Sequence, residues 1–137
     1  MSKVFTYQKS DKLKSRKQTQ HLFSNGQAIH VFPIRLIYTI EPITSSTITP
    51  SLASLLQAGV GAPSRTFRKA VQRNRVKRLL REAYRLEKPN FLSQASLDHK
   101  RVNLFFLYTD GLVLTQAVIQ AKVKEALALL VTKLNKS

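Results

Sequence analysis

Apolar positions change their spacing several times along the chain, and each change marks an element. Leu13, Leu22 and Phe23 lie among polar neighbours and form a thin helical stripe over 13–25. The stripe ends at Gly26, a residue type common where helices stop. From 29 to 40 the period becomes two: Ile34, Leu36 and Tyr38 alternate with Arg35, Ile37 and Thr39 in a run rich in β-branched and aromatic residues. That pattern predicts a strand, and Pro33, with no N–H for a ladder, marks an edge or the strand start. Residues 41–51, Glu-Pro-Ile-Thr-Ser-Ser-Thr-Ile-Thr-Pro-Ser, have loop composition with room for a short strand at 47–49. Leu52, Leu55 and Leu56 would suit a helix, but Gly59, Gly61 and Pro63 oppose it. A strand around 55–62 is the better reading, its glycines letting another backbone come close.

After a basic connection over 63–70, the helical period returns. Val76, Leu79, Leu80 and Ala83 fall at i, i+3, i+4 and i+7, with Tyr84 at the edge of their stripe. Pro89 and Asn90 are expected to end this helix or its extension, and 91–100 reads as polar loop. Val102-Asn-Leu-Phe-Phe-Leu-Tyr108 is nearly all apolar, as a strand buried on both faces should be. Asp110-Gly111 is a turn signal, and 115–134 is a helix with Ile119, Val123, Ala126, Leu127, Leu130 and Leu134 on one face. The order helix, two or three strands, helix, strand, helix predicts an α/β (α+β) two-layer sandwich, a small sheet covered by amphipathic helices. No repeat or linker divides the 137 residues, so a single domain over 1–137 is expected, with the polar, basic segment 1–12 irregular.

Charge sharpens this picture. There are 23 Lys and Arg against 7 Asp and Glu, a formal charge of +16, alongside 43% hydrophobic residues. A core-forming chain with such an excess has the footprint of a nucleic-acid binder. The excess peaks in 73–85, where six of thirteen residues are Lys or Arg and Glu82 is the only carboxylate. Lys77, Arg78, Arg81 and Arg85 lie opposite the apolar stripe, with Asn74 among them, Arg75 at the margin, and Arg65, Arg68 and Lys69 just upstream. A merely solvated helix face mixes both signs, whereas like charges on one face repel by about a few tenths of a kcal/mol per pair. A polyanion would offset that repulsion. Lys12, Lys14, Arg16 and Lys17 crowd the start of the first helix, which is also unfavourable without a nearby anion. A membrane-surface role would want a broader apolar and aromatic helix face than this stripe offers.

Candidate chemistry narrows the field further. The chain has no Cys, which excludes disulfides and thiolate metal sites. Residues 1–12 have no apolar signal core, and no apolar run approaches the roughly 20 residues of a membrane span, so the expected location is the cytoplasm. A protein nuclease needs clustered carboxylates, paired histidines, or a nucleophile with its base. Asp11, Glu41, Glu82, Glu87, Asp98, Asp110 and Glu125 show no metal-site spacing, Glu82 and Glu87 point to different helix faces, and His21, His30 and His99 are isolated. RNA contact, by contrast, has suitable groups. Arg75, Arg78 and Arg81 carry forked guanidinium groups for phosphates or exposed bases, and Lys69 and Lys77 are point charges. Asn74 suits a helix cap as well as an RNA contact. Phe32 and Tyr38 suit either base stacking or the core, and Phe67 suits packing. A helix-turn-helix regulator would need a helix where Gly59-x-Gly61-x-Pro63 stands. A structural RNA-binding protein, ribosomal or other, shares the same charge and size.

The run Lys69-Ala70-Val71-x-Arg73-Asn74-Arg75-Val76-Lys77-Arg78-Leu79-x-Arg81-Glu82-Ala83-Tyr84-Arg85 resembles the signature of the bacterial ribonuclease P protein family. Leu22-Phe23-x-x-Gly26, the strand ending at Tyr38, and Val60-x-Ala62-Pro63 with Phe67 are similar to the elements flanking that signature, while the chain after residue 90 matches in pattern only. The resemblance implies an α/β sandwich whose Arg-rich helix lies in a left-handed βαβ crossover, an exception to the usual hand. It implies an endoribonuclease active as a ribonucleoprotein, with the catalytic centre and most of the Mg²⁺ in the RNA. Arg65, Arg68, Lys69, Arg73, Asn74, Arg75, Lys77, Arg78 and Arg81 would bind the catalytic RNA subunit. Phe23, Phe32 and Tyr38 would line a cleft for the single-stranded 5′ leader of precursor tRNA. No membrane and no obligate protein partner is implied. The sequence departs from the family at Ser64 and Thr66, neutral where Lys or Arg is common, at Thr19, where many members carry an aromatic, and in its long 41–54 loop.

Overall fold

The computed structural model describes residues 16–42, 56–63, 67–95, 100–110 and 113–136. The expected strand at 47–49, the irregular segment 1–12, Arg65 and His99 lie outside these described residues. In chain order the elements are α1 (Arg16–Asn25), β1 (Gln27–Val31), β2 (Ile34–Pro42), β3 (Leu56–Gly61), α2 (Ala70–Gln94), β4 (Lys100–Tyr108) and α3 (Gln116–Lys136). The sheet runs β1-β2-β4-β3. The β1–β2 and β2–β4 pairs are antiparallel, and β3–β4 is parallel. The Arg-rich helix α2 is therefore the crossover between two parallel neighbours, in a mixed α+β sheet.

Strand register sorts the side chains onto two faces. Val31 pairs with Ile34, Ile29 and Phe106 both pair with Leu36, Leu104 with Tyr38 and Ala58, and Leu56 with Val102. All of these are buried, and α2 and α3 close over them with Val76, Leu80, Ala83, Tyr84, Ile119, Val123 and Leu130. The Tyr84 ring lies 5.6 Å from that of Phe106. On the opposite face stand Arg35, Ile37 and Thr39 of β2 beside Leu107, Phe105 and Asn103 of β4. Helix α1 rests there, with the Phe23 ring edge-on to Phe105 at 5.0 Å. The near-continuous apolar run of β4 reflects this burial from both sides.

Three expectations need correction. The single strand over 29–40 is a hairpin. Val31 and Ile34 face each other across the Phe32-Pro33 turn, and the Pro33 carbonyl accepts the Thr109 N–H and Oγ1–H at 2.8 and 2.9 Å. The turn has no Gly or Asn, so its usual sequence signal is missing. Second, α2 runs through Pro89 to Gln94. An interior proline costs a helix about 3 kcal/mol, but tertiary contacts hold the last turns. Phe91 is buried, Gln120 Nε2 donates to Glu87 Oε2 at 2.8 Å, and Asn135 Nδ2 donates to the Gln94 carbonyl at 3.1 Å. Third, Tyr84 is wholly buried and Leu79 only half-buried, so the apolar stripe of α2 is rotated towards Tyr84.

Candidate nucleic-acid interface

The basic surface begins at the connection into α2. The Phe67 ring is buried 5.8 Å from that of Tyr108, and its N–H donates to the Pro63 carbonyl at 3.0 Å. Phe67 is thus packing, as its sequence context suggested. Lys69 is the N-cap and makes no side-chain capping bond, while its carbonyl accepts the N–H groups of Gln72 and Arg73 at 3.1 and 3.2 Å. No acidic residue occupies the first turn. Exposed Arg68 and Lys69 therefore stand at the positive end of the helix dipole, an arrangement that an anion would relieve. Asn74 lies inside the helix and is exposed, so it is not the cap.

Burial of Val76, Leu80, Ala83 and Tyr84 fixes which side of α2 meets solvent. Asn74, Arg75 and Arg78 are exposed, and Lys77 and Arg81 are half-buried at the margins. Glu82 does not interrupt this row. Arg85 Nε donates to Glu82 Oε2 at 3.0 Å and Nη2 to Oε1 at 2.5 Å. These bonds, and secondarily the guanidinium charge, hold the Glu82 carboxyl below its ordinary range. Arg73 departs from the expected pattern. It is half-buried, and its Nη1 donates inward to the carbonyls of Phe67 and Arg68 at 2.8 and 2.9 Å.

The three aromatic residues expected to share a cleft are not together. Phe23, 48% exposed, lies on the outer sheet face against Phe105. Phe32, 70% exposed, sits at the hairpin tip. Tyr38 is on the core face, 3% exposed, and its hydroxyl donates to Gln27 Oε1 at 2.9 Å. Burial raises the Tyr38 phenol above its ordinary pKa. Its ring is therefore not available for stacking, a consequence of its sharing the parity of Ile34 and Leu36. Phe105 is the aromatic group that sequence reasoning missed, because a run buried on both faces hides which of its residues point outward. Beside it the floor is polar as well as apolar: buried Asn103 donates from Nδ2 to Thr39 Oγ1 at 3.4 Å.

Among the described residues no group of three or more His, Asp or Glu side chains is placed to hold a metal ion. The two carboxylates of α2 diverge as their spacing predicted, Glu82 towards Arg85 and Glu87 towards Gln120. No helix among the described residues is long and apolar enough to cross a membrane.

The ribonuclease P family model matches residues 7–130, spanning every element from α1 to most of α3. The chain belongs to the ribonuclease P protein family. It is 40% identical over 85 residues to a ribonuclease P protein component of Porphyromonas gingivalis, a match spanning 62% of this chain and 57% of that relative. The fold is similar to that of the Staphylococcus aureus RNase P protein, with a TM-score of 0.59, 17% identity, and coverage of 88% of this chain and 94% of the other. The Thermotoga maritima RNase P protein gives a TM-score of 0.54 at 16% identity, covering 89% and 96%. At these identities the two structures speak to the fold alone.

Proposed function

We propose that this chain is the protein subunit of ribonuclease P, binding the catalytic RNA and assisting endonucleolytic removal of the 5′ leader from precursor tRNA. The observation that carries this reading is α2 in a member of this family: a stripe buried to Tyr84 on one side, and Asn74, Arg75, Arg78 and Arg81 along the other. Planar guanidinium groups on a rigid helix suit phosphate oxygens and exposed bases. Arg68, Lys69 and Lys77 extend the cationic field, and Arg65 carries further charge in the same connection.

The single-stranded leader would lie on the outer sheet face beside α1, stacking on Phe23 and Phe105, with Phe32 at the hairpin end and Arg35 as a phosphate partner. Tyr38, buried on the other face, would support that sheet rather than touch the leader. The Mg²⁺ required for hydrolysis would be held mainly by RNA phosphates, since among the described residues no three His, Asp or Glu side chains are placed to hold a metal ion. The protein would work in the cytoplasm with its RNA.

The experiment is to purify the tagged chain from its own cells, identify the RNA that accompanies it, and reconstitute cleavage of a precursor tRNA. Recovery of one structured RNA that cleaves at the mature 5′ end, and does so better with the protein, is the expected result. Recovery of ribosomal RNA alone, with no effect on cleavage, would overturn the reading in favour of a structural RNA-binding protein.

A further inference from the structure

Arg73 belongs to the signature helix by sequence, yet its side chain is engaged differently from those of Arg75 and Arg78. It lies on the same side of α2 as Val76 and Leu80, one turn nearer the N-terminus, and is half-buried. One nitrogen, Nη1, bridges the carbonyls of Phe67 and Arg68 at 2.8 and 2.9 Å. The residues between those carbonyls and the helix are Arg68 and Lys69, both exposed. The connection they occupy is tied down on its other side by the buried Phe67 ring and by the Phe67 N–H bond to Pro63. The helix start itself has no side-chain cap. Arg73 is thus the side chain that hydrogen-bonds the backbone carrying Arg68 and Lys69.

Charge makes this placement informative. Three cations, Arg68, Lys69 and Arg73, converge on the positive end of a helix that has no acid in its first turn. Electrostatics alone would drive them apart. A lysine ammonium could also donate to carbonyls, but its nitrogen ends one atom short of Arg73 Nη1 along the side chain. A planar guanidinium, whose two Nη1 hydrogens can each meet a carbonyl, converts one of the three into a bracket for the other two.

We propose that Arg73 is a positioning residue that holds the Phe67–Lys69 backbone so that Arg68 and Lys69 reach RNA phosphates, rather than itself a principal phosphate contact. This rests on the RNA-binding reading above and divides the basic surface into cations that touch RNA and one that orients them. Lysine at position 73 would keep the charge and lose the reach of Nη1 to both carbonyls.

The test uses the full-length protein and its cognate catalytic RNA. In the unaltered free protein, NMR of the Arg73 guanidinium should show slowed rotation about its Cζ–Nη bonds, and adding RNA should shift it less than Arg75 or Arg78. Arg73→Lys should weaken RNA binding several-fold although charge is kept. In an Arg68→Ala/Lys69→Ala background the same change should cost less than about twofold, because it acts through the absent side chains. Full affinity in Arg73→Lys, equal losses in both backgrounds, or an Arg73 signal that moves as far as that of Arg78 would each overturn the proposal. Should the unaltered protein bind no RNA while Arg73 still shows slowed rotation, the functional reading fails and the bracket role in binding fails with it. If RNA binds but Arg73 rotates freely, only the proposal for Arg73 fails.

Discussion

Arg85 turns back along α2 onto Glu82, its Nε 3.0 Å from Glu82 Oε2 and its Nη2 2.5 Å from Oε1. This pair cancels the only carboxylate within the signature and, at the same time, withdraws Arg85 from the row it shares with Arg78. Glu82→Gln should therefore leave that row with one negative charge fewer beside it. RNA affinity should rise at low salt, and the slope of log K against log salt should steepen by up to roughly 0.7–0.9, the contribution of about one phosphate. Thermal stability should barely change, since solvent screens this half-exposed surface pair. The sign of its pH dependence is fixed by the lowered carboxyl. The pair's small stabilisation is present above the ordinary glutamate range and is lost as pH falls below it. An unchanged salt slope in filter-binding titrations would mean that the charge at this end of the row does not act on RNA.

The two sides of α2 should fail differently. Leu80 is fully buried, and Leu80→Ala should cost about 2–5 kcal/mol of stability. Leu79 is half-buried, so Leu79→Ala should cost less than Leu80→Ala. Arg78→Ala should leave the urea midpoint almost unchanged and weaken RNA binding, with loss of about one unit of salt slope. Unfolding by Arg78→Ala alongside a neutral Leu80→Ala would invert the faces.

How much of this was legible in the sequence depended on whether local pattern and tertiary contact agreed. The period over Val76–Ala83 set both the buried stripe and the cationic side because nothing competes with it. The same period did not reveal that Tyr84 sinks into the core, because its place is set by packing against the Phe106 ring from the sheet. Pro89 looked like a terminator because the bonds that carry the helix past it, Gln120 to Glu87 and Asn135 to Gln94, come from α3. Strand parity assigns Tyr38 to the face of Leu36. The split at Phe32-Pro33 was hidden because Val31 and Ile34 bracket it without a glycine. Arg73 was unreadable in principle: its bonds go to carbonyls, which every residue has.

Gly61 sits beside β4 where a side chain has no room. A Cβ there would lie 2.7 Å from Phe105 Cε1 and 2.8 Å from Cζ. Phe105 cannot yield freely because Phe23 of α1 packs edge-on against it. Gly61→Ala should therefore displace the Phe105–Phe23 pair, costing about 1–3 kcal/mol of stability from overpacking. If the leader lies on this face, preference for precursor over mature tRNA should fall more than affinity for the catalytic RNA. An unaltered preference, measured by competition binding in the reconstituted holoenzyme, would place the leader elsewhere.

Tyr108 links the end of β4 to the approach to α3. Its ring is fully buried and its hydroxyl accepts the Leu114 N–H at 3.2 Å. Burial, the leading cause, raises its phenol above the ordinary value of about 10. A raised pKa means that the fold favours the neutral phenol. Its stabilisation is complete below about pH 10 and is lost as pH climbs through the raised value. Urea midpoints followed from neutral to strongly alkaline pH should decline there, and Tyr108→Phe should flatten that decline while lowering stability at neutral pH through loss of the Leu114 bond. An identical alkaline decline in Tyr108→Phe would assign the effect to other groups.

On the proposed function the chain brings a catalytic RNA and precursor tRNA together; both are polyanions, and without protein their approach requires dense screening by Mg²⁺. The chain brings a formal charge of +16, with Arg75, Arg78 and Arg81 on one side of a rigid helix and Arg68 and Lys69 at its start. Neutralising phosphates at the RNA junction should lower the Mg²⁺ needed for half-maximal cleavage and favour substrates that carry a leader. Protein carboxylates are not expected to take part. Glu82 is bonded to Arg85 and Glu87 to Gln120, and no group of three carboxylates or histidines converges among the described residues. Replacing any one of Asp11, Glu41, Glu82, Glu87, Asp98, Asp110 or Glu125 by its amide should thus leave the cleavage rate at saturating Mg²⁺ within a few-fold wherever the variant folds. Reconstitution with the cognate RNA across a Mg²⁺ series measures both effects. Cleavage of precursor tRNA by the protein alone, or abolition of cleavage by a single amide substitution in a folded variant, would make this chain a nuclease in its own right.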